Sequence, residues 1–135
     1  MNIGVLGCGK LGLPVAIATA AKGHSVLGYD INPNINSKSY PKDLLVTQES
    51  DQYHKGRLQD TDMLKNSTLR FTDSMEEVVK KSEIIFVAIQ TPHQKKFEGD
   101  IPIPEDRADF NYDWIINCIT ELSKIMDNMN ETRIV

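Results

Sequence analysis

Three glycines near the start of the chain constrain its fold more than any other feature. Gly7-Cys8-Gly9-Lys10-Leu11-Gly12 fits the spacing G-x-G-x-x-G, and its flanks are as informative as the glycines themselves. Asn2 to Leu6 (NIGVL) reads as a short buried strand. Leu11 to Ala21 (LGLPVAIATAA) reads as a helix, small and apolar on several faces, and Ser25 to Asp30 (SVLGYD) reads as a second strand. Pro14 is tolerated only in the first turn of a helix, where a missing N–H costs nothing, so the helix begins within a few residues of Gly9. Gly23 supplies its stop. Two strands joined through a helix in this way are parallel, and a parallel sheet needs both faces covered.

Beyond residue 30 the pattern lapses and then recovers. Residues 31–67 read as irregular chain, with Pro33, Pro41 and the stretch NPNINSKS, and some helix is expected between Lys42 and Lys65. Thr68 to Phe71 reads as a strand. Thr72 or Asp73 is expected to cap a helix, with Glu76 or Glu77 at capping-box spacing and Met75, Val78 and Val79 facing the sheet. Ile84 to Ile89 (IIFVAI) is apolar without alternation, which predicts a central strand buried on both faces. Gln90 to Asn111 is a long polar loop with Pro92, Gly99, Pro102 and Pro104. Tyr112 to Met129 predicts an amphipathic helix, with Ile115, Cys118, Ile119, Leu122, Ile125, Met126 and Met129 recurring at three and four. Thr132 to Val135 reads as the start of one more strand. The expected fold class is α/β, a Rossmann-like doubly wound parallel sheet. Because the last strand is cut short, residues 1–135 are expected to be an incomplete domain, the front part of a longer protein. An open edge and an uncovered helix face would then favour pairing with a second copy.

The glycine turn carries a specific chemistry. Gly7 permits the tight turn, Gly9 lets backbone approach a pyrophosphate, and Gly12 lets helix and strand pack closely, while the positive end of the helix faces the phosphates. Lys10 and Leu11, in the same turn, are candidate cofactor contacts, Lys10 either touching phosphate or solvated. Asp30 follows Gly7 by 23 residues and ends the second strand. A carboxylate there accepts the adenosine ribose hydroxyls and repels a 2′-phosphate, so NAD is favoured over NADP. Asp30 also fits a turn before Asn32-Pro33, and both roles can hold. Thr91, directly after the strong strand, is placed to donate to a ribose or phosphate, or else to end the strand before Pro92; Gln90 lies beside it.

Other chemistries find little support. The chain has 15 Lys plus Arg against 19 Asp plus Glu, a net charge of −4, and Lys80-Lys81 and Lys95-Lys96 are isolated pairs, which argues against a nucleic-acid footprint. No apolar run reaches the ~18 residues of a membrane span, and the glycine-cut start is no signal peptide. Two cysteines suit a reducing, cytoplasmic compartment. A helix N-terminus can lower a thiol pKa, but Cys8 has no base to place beside it, and Cys118 belongs to the apolar stripe. His24, His54 and His93 lack metal-ligand spacing, so no metal is expected, and no catalytic residue is assigned. Glu98, Asp100, Glu105, Asp106 and Asp109 read as solvated loop carboxylates, and Arg107 as a possible contact for an anionic substrate or a neighbouring subunit.

These residues carry a resemblance. The stretch GCGKLGLPVAIATAAKGHSVLGYDIN resembles the N-terminal segment of the UDP-glucose/GDP-mannose dehydrogenase family, through Gly12-Leu13-Pro14, Lys22-Gly23-His24 and Gly28-Tyr29-Asp30-Ile31-Asn32. Leu69-Arg70-Phe71-Thr72, the run Ser82 to Pro92, and Asp109-Phe110-Asn111-Tyr112 look like the same family, so the likeness spans most of the chain outside about 35–65. The resemblance implies an enzyme that uses NAD to oxidise the C6 alcohol of a nucleotide sugar to a carboxylate, by two hydride transfers and a cysteine thioester. It carries Gly7, Gly9 and Gly12 over to the pyrophosphate, Asp30 to the ribose and Thr91 to the cofactor's sugar. The family's catalytic lysine, asparagine and cysteine lie later than Val135, which implies a chain inactive alone and a nucleotide-sugar partner only with those later parts. Lys10 departs from the family's frequent tyrosine, His93 follows Thr91-Pro92, and the loop from Gln94 to Ala108 is longer than the common form. Two other readings share the glycine turn: a stand-alone nucleotide-binding or regulatory module, and the front of another NAD-dependent dehydrogenase, such as one acting on a hydroxy acid.

Overall fold

The computed structural model describes residues 1–36, 68–93, 110–129 and 134–135. Among them the elements run β1 (Asn2–Leu6), α1 (Gly12–Ala21), β2 (Ser25–Tyr29), α2 (Pro33–Asn36), β3 (Leu69–Thr72), α3 (Met75–Lys81), β4 (Ile84–Val87) and α4 (Asp113–Asp127). The strands form one sheet in the order β3-β2-β1-β4, every pair parallel. β1, with four of its five residues buried, takes an interior position between β2 and β4. Ile134 bridges Ile84 in parallel, its C=O accepting from the Ile85 N–H at 2.8 Å, as expected of an incipient strand beside β4. Helices cover both faces, which makes the sheet doubly wound.

The period of two along each strand sorts the core into two layers. Ile3 and Val5 of β1 and Val26 of β2 meet Ala16 and Ala20 of α1, with Ile35 of α2 packed at the margin. Leu6 and Ile85 point the other way, into Val78 and Val79 of α3 and Cys118 and Leu122 of α4. Val5 and Leu6 are wholly buried, and each such side chain contributes about 1.5–3 kcal/mol relative to exposure. The small residues of α1 let it lie close on the sheet.

Several expectations shift in detail. β3 is displaced one residue to Leu69–Thr72; Thr68 lies just before it, its carbonyl accepting the Val26 N–H and its hydroxyl donating to the His24 carbonyl. β4 stops at Val87, since Ala88 and Ile89 turn across the glycine loop. β4 is also not buried on both faces: Ile85 is 1 % exposed, but Phe86 is 45 % exposed. Phe86 is paired with Val5 and so shares the face that carries α1, yet α1 lies over β1 and β2. On α4 the stripe holds at Cys118 and Leu122, whereas Ile119 stands at its exposed margin. The four-residue helix α2 falls where irregular chain was expected, with Pro33 as its first residue, the position where proline suits a helix. The helix expected between Lys42 and Lys65 lies outside the described residues.

α3 shows why a seven-residue helix persists. Its N-cap is Ser74, not Thr72 or Asp73: the Ser74 hydroxyl accepts the Glu77 N–H at 3.1 Å. Thr72 Oγ1 accepts the Ser74 N–H at 3.2 Å and donates to the Glu77 carboxylate, so the cap is doubled. The hydrogen bonds from Lys81 and Thr72 hold the Glu77 carboxyl below its ordinary pKa. Lys80 pairs with Glu76 and Lys81 with Glu77 one turn apart, with charges placed to suit the helix dipole. Ser74→Ala is expected to lower stability by about 1 kcal/mol in urea denaturation with the slope m unchanged.

Candidate functional site

The C-terminal ends of the strands meet around the glycine turn. β1 ends at Leu6, level with Tyr29 of β2 and Val87 of β4. The Gly7 N–H continues the ladder to the Tyr29 carbonyl (2.8 Å), and the Ala88 N–H bonds the Leu6 carbonyl (2.8 Å). Gly7 therefore lies between the β2 and β4 ends, at φ +90°, and a Cβ there would come 2.6 Å from the Ala88 carbonyl oxygen. Gly12 opens α1 against the same turn: its Cβ would stand 1.7 Å from the Gly7 carbonyl oxygen. Gly9 differs, because a Cβ there meets nothing within 4 Å. Two glycines are thus demanded by the protein's own packing, and the third faces open space.

Lys10 and Leu11 complete the turn on its outer side, both exposed. Leu11 caps α1 without any side-chain hydrogen bond, and the Leu13 N–H reaches back to the Gly9 carbonyl (3.1 Å). The positive end of α1 is left beside Gly9 with no acidic residue in its first turn. Asp30 comes to the turn from β2. Its Oδ2 accepts the Cys8 N–H at 2.7 Å and its Oδ1 accepts the Asn32 N–H at 2.8 Å. The turn role weighed for Asp30 is therefore present. A carboxylate offers about four acceptor directions, so two remain for a ligand. Thr91 is half-buried and follows Ala88 by three residues, within about 11 Å of chain from the glycine turn, and Gln90 is exposed. The Pro92 carbonyl accepts the Asn111 N–H at 3.0 Å, and the His93 ring packs on Phe110 at 4.2 Å between centroids, which joins the loop after β4 to the start of α4.

Cys8 points inward. It is wholly buried, with Sγ 3.7 Å from both the Val5 and Tyr29 carbonyls and set against Gly28. Burial and then the Asp30 carboxylate push its thiol up to about 12, the reverse of what a helix N-terminus does. Burial and then Glu121 raise the Cys118 thiol too. Neither thiol is a nucleophile at neutral pH. Among the described residues no three His, Cys, Asp or Glu side chains gather, and no helix is long and apolar enough to cross a membrane. His54 and the loop carboxylates Glu98, Asp100, Glu105, Asp106 and Asp109, with Arg107, lie outside the described residues. Asn36, which sequence reasoning passed over, bonds Asp30 as Asn32 does; the asparagine-rich stretch after the strand was the available signal.

A parallel sheet with the order 3-2-1-4, a glycine turn running into a helix N-terminus and an acidic residue directly after the second strand, which ends at Tyr29, one residue earlier than expected from sequence, define a dinucleotide-binding domain. Residues 1–130 match the NAD binding domain of the UDP-glucose/GDP-mannose dehydrogenase family, and the chain belongs to that family, with NAD as its cofactor. It is 31 % identical over 128 residues to UDP-N-acetyl-D-mannosamine dehydrogenase of Pyrococcus horikoshii, covering 94 % of this chain and 26 % of the relative. To UDP-glucose 6-dehydrogenase of Rickettsia felis it is 29 % identical, over 81 % of this chain and 23 % of that one. The solved structure of UDP-D-ManNAc dehydrogenase from Pyrococcus horikoshii superposes with a TM-score of 0.63 at 27 % identity, over 93 % of this chain and 26 % of that one. The chain spans about a quarter of the length of these relatives.

Gly12→Ala is expected to cost about 3 kcal/mol or more in urea denaturation, since backbone must move, while Gly9→Ala changes stability by less than about 0.5 kcal/mol. Ellman's reagent at pH 8 is expected to label neither cysteine until the protein unfolds. The folded Cys8 keeps a proton that the unfolded chain sheds from its ordinary 9.0, so the stability it lends is present below pH 9 and lost as pH rises toward 12. Denaturation midpoints measured at pH 8, 9 and 10 are expected to fall in that order.

Proposed function

We propose that the chain supplies the cofactor-holding part of a nucleotide-sugar 6-dehydrogenase, in which a C6 alcohol is oxidised to a carboxylate by two successive hydride transfers. The observation that carries this reading is the pairing of open space at Gly9 with the Asp30 carboxylate at the same turn. NAD, when bound, supplies the hydride acceptor. Gly7, Gly9 and Gly12, with the backbone at Lys10 and Leu11, take the pyrophosphate against the positive end of α1. Asp30 accepts the adenosine ribose hydroxyls through its two remaining acceptor directions and repels a 2′-phosphate. Thr91 donates to the cofactor's ribose or phosphate.

No residue of this chain is assigned to the chemical step. The two buried thiols, with pKa values raised, are unsuited to forming a thioester, which agrees with a chain inactive alone and a sugar-nucleotide site built with further residues. Trp114, Ile116 and Ile119 leave apolar surface on α4 that fits assembly with a second copy. Two free, buried cysteines fit a cytoplasmic setting.

Calorimetric titration tests the reading. NAD is expected to bind more tightly than NADP. Asp30→Ala is expected to weaken NAD about tenfold or more and to narrow its preference over NADP. Gly9→Ala is expected to weaken NAD with the fold intact. A folded protein that gives no heat with NAD, or binds it equally well as Asp30→Ala, would overturn the reading.

A further inference from the structure

We propose that Asn36 is the positioning residue for Asp30, and through it sets how strongly the domain discriminates the adenosine 2′-hydroxyl; this rests on the reading that Asp30 holds that ribose. Asp30 lies one residue past the last strand pairing. Tyr29 is aligned with both Leu6 and Thr72, but Asp30 has no aligned partner on either neighbouring strand. Asn36 takes over that task. Its Oδ1 accepts the Asp30 N–H at 3.0 Å, and its Nδ2 donates to the Asp30 carbonyl. One carboxamide thus pairs with both backbone polar groups of Asp30, as a strand neighbour would.

The geometry around the pair explains how Asn36 arrives there. The Ile35 N–H bonds the Asn32 carbonyl (3.0 Å) and the Asn34 N–H bonds Asn32 Oδ1 (3.1 Å), which folds α2 back toward β2. Ile35 is packed against the core layer under α1, so α2 is anchored from its apolar side while Asn36 reaches Asp30. With the Asp30 backbone held, only its two side-chain torsions remain. The Cys8 and Asn32 N–H groups set those. The backbone of Asp30 is then held by Asn36, and its carboxylate by Cys8 and Asn32. A carboxylate placed this way meets the ribose without first reorganising. Without the Asn36 amide the turn after β2 is free to relax, and the carboxylate drifts from its place beside Gly9.

The test compares NAD with its analogue lacking the adenosine 2′-hydroxyl, by calorimetry, in the wild type, Asn36→Ala, Asp30→Ala and the double variant. Asn36→Ala is expected to weaken NAD about three- to tenfold and the 2′-deoxy analogue much less, so the ratio between them narrows. In the Asp30→Ala background the same change is expected to add nothing. Equal loss for both ligands, or a loss that persists without Asp30, would assign Asn36 a purely structural role and overturn the proposal. So would unchanged NAD binding by Asn36→Ala where Asp30→Ala weakens it, and that outcome leaves the reading of Asp30 standing. No NAD binding by the folded wild type would remove the reading and the proposal together. If Asn36→Ala does not fold, Asn36→Ser, which keeps a short hydrogen-bonding side chain, is read by the same ratio.

Discussion

The contact between Gly12 and the Gly7 carbonyl governs the rest of the structure. A side chain at residue 12 would stand 1.7 Å from that oxygen, so α1 can start where it does only because none is there. That start sets the distance between α1 and the sheet, which Ala16 and Ala20 then fill against Val5 and Val26. It also directs the positive end of the helix at the gap beside Gly9. One steric allowance therefore serves the core layer on one side and the ligand crevice on the other.

Asp30 joins local structure to chemistry in a similar way. Its carboxylate is tied to the Cys8 and Asn32 N–H groups, so the end of β2 and the glycine turn move as one piece. The same anion beside a buried thiol helps keep Cys8 protonated. The carboxylate proposed to hold the cofactor ribose thus also contributes to the inertness of that cysteine. The three glycines divide their work: Gly7 and Gly12 answer to steric demands inside the protein, and Gly9 answers to something outside it.

Much of this was legible in the sequence where local and tertiary preferences agree. The first 30 residues announced strand, turn, helix and strand because glycine spacing, Pro14 and the apolar runs all favour one arrangement, and the fold follows it. The placement of Asp30 at the second strand end was legible for the same reason. The cap of α3 was read one or two residues early, at Thr72 or Asp73, because Thr72, Asp73 and Ser74 are all capping residues; only the fold shows that Thr72 bonds the cap rather than forming it. The exposure of Phe86 was not legible, since an unbroken apolar run says nothing about how far a neighbouring helix extends. Asn36 was hidden by its composition: asparagines in a proline-containing stretch suggest loop, and the bond six residues back to Asp30 depends on the turn between them.

The parallel pairing of β1 with β4 has a consequence for synthesis. β1 leaves the ribosome before β2 and meets it within about two dozen residues, so that edge can close early. Its other edge waits for a strand that begins at Ile84, and the Asn2 amide bonds a Glu83 side chain 81 positions away. Closing so long a loop is entropically costly and slow compared with the crossover that precedes it. Until Ile84 to Ala88 are made, the glycine turn has only its β2 side, and one edge of β1 is without its partner strand. Among the described strands, translation thus delivers the glycine turn well before the strand that closes its other side.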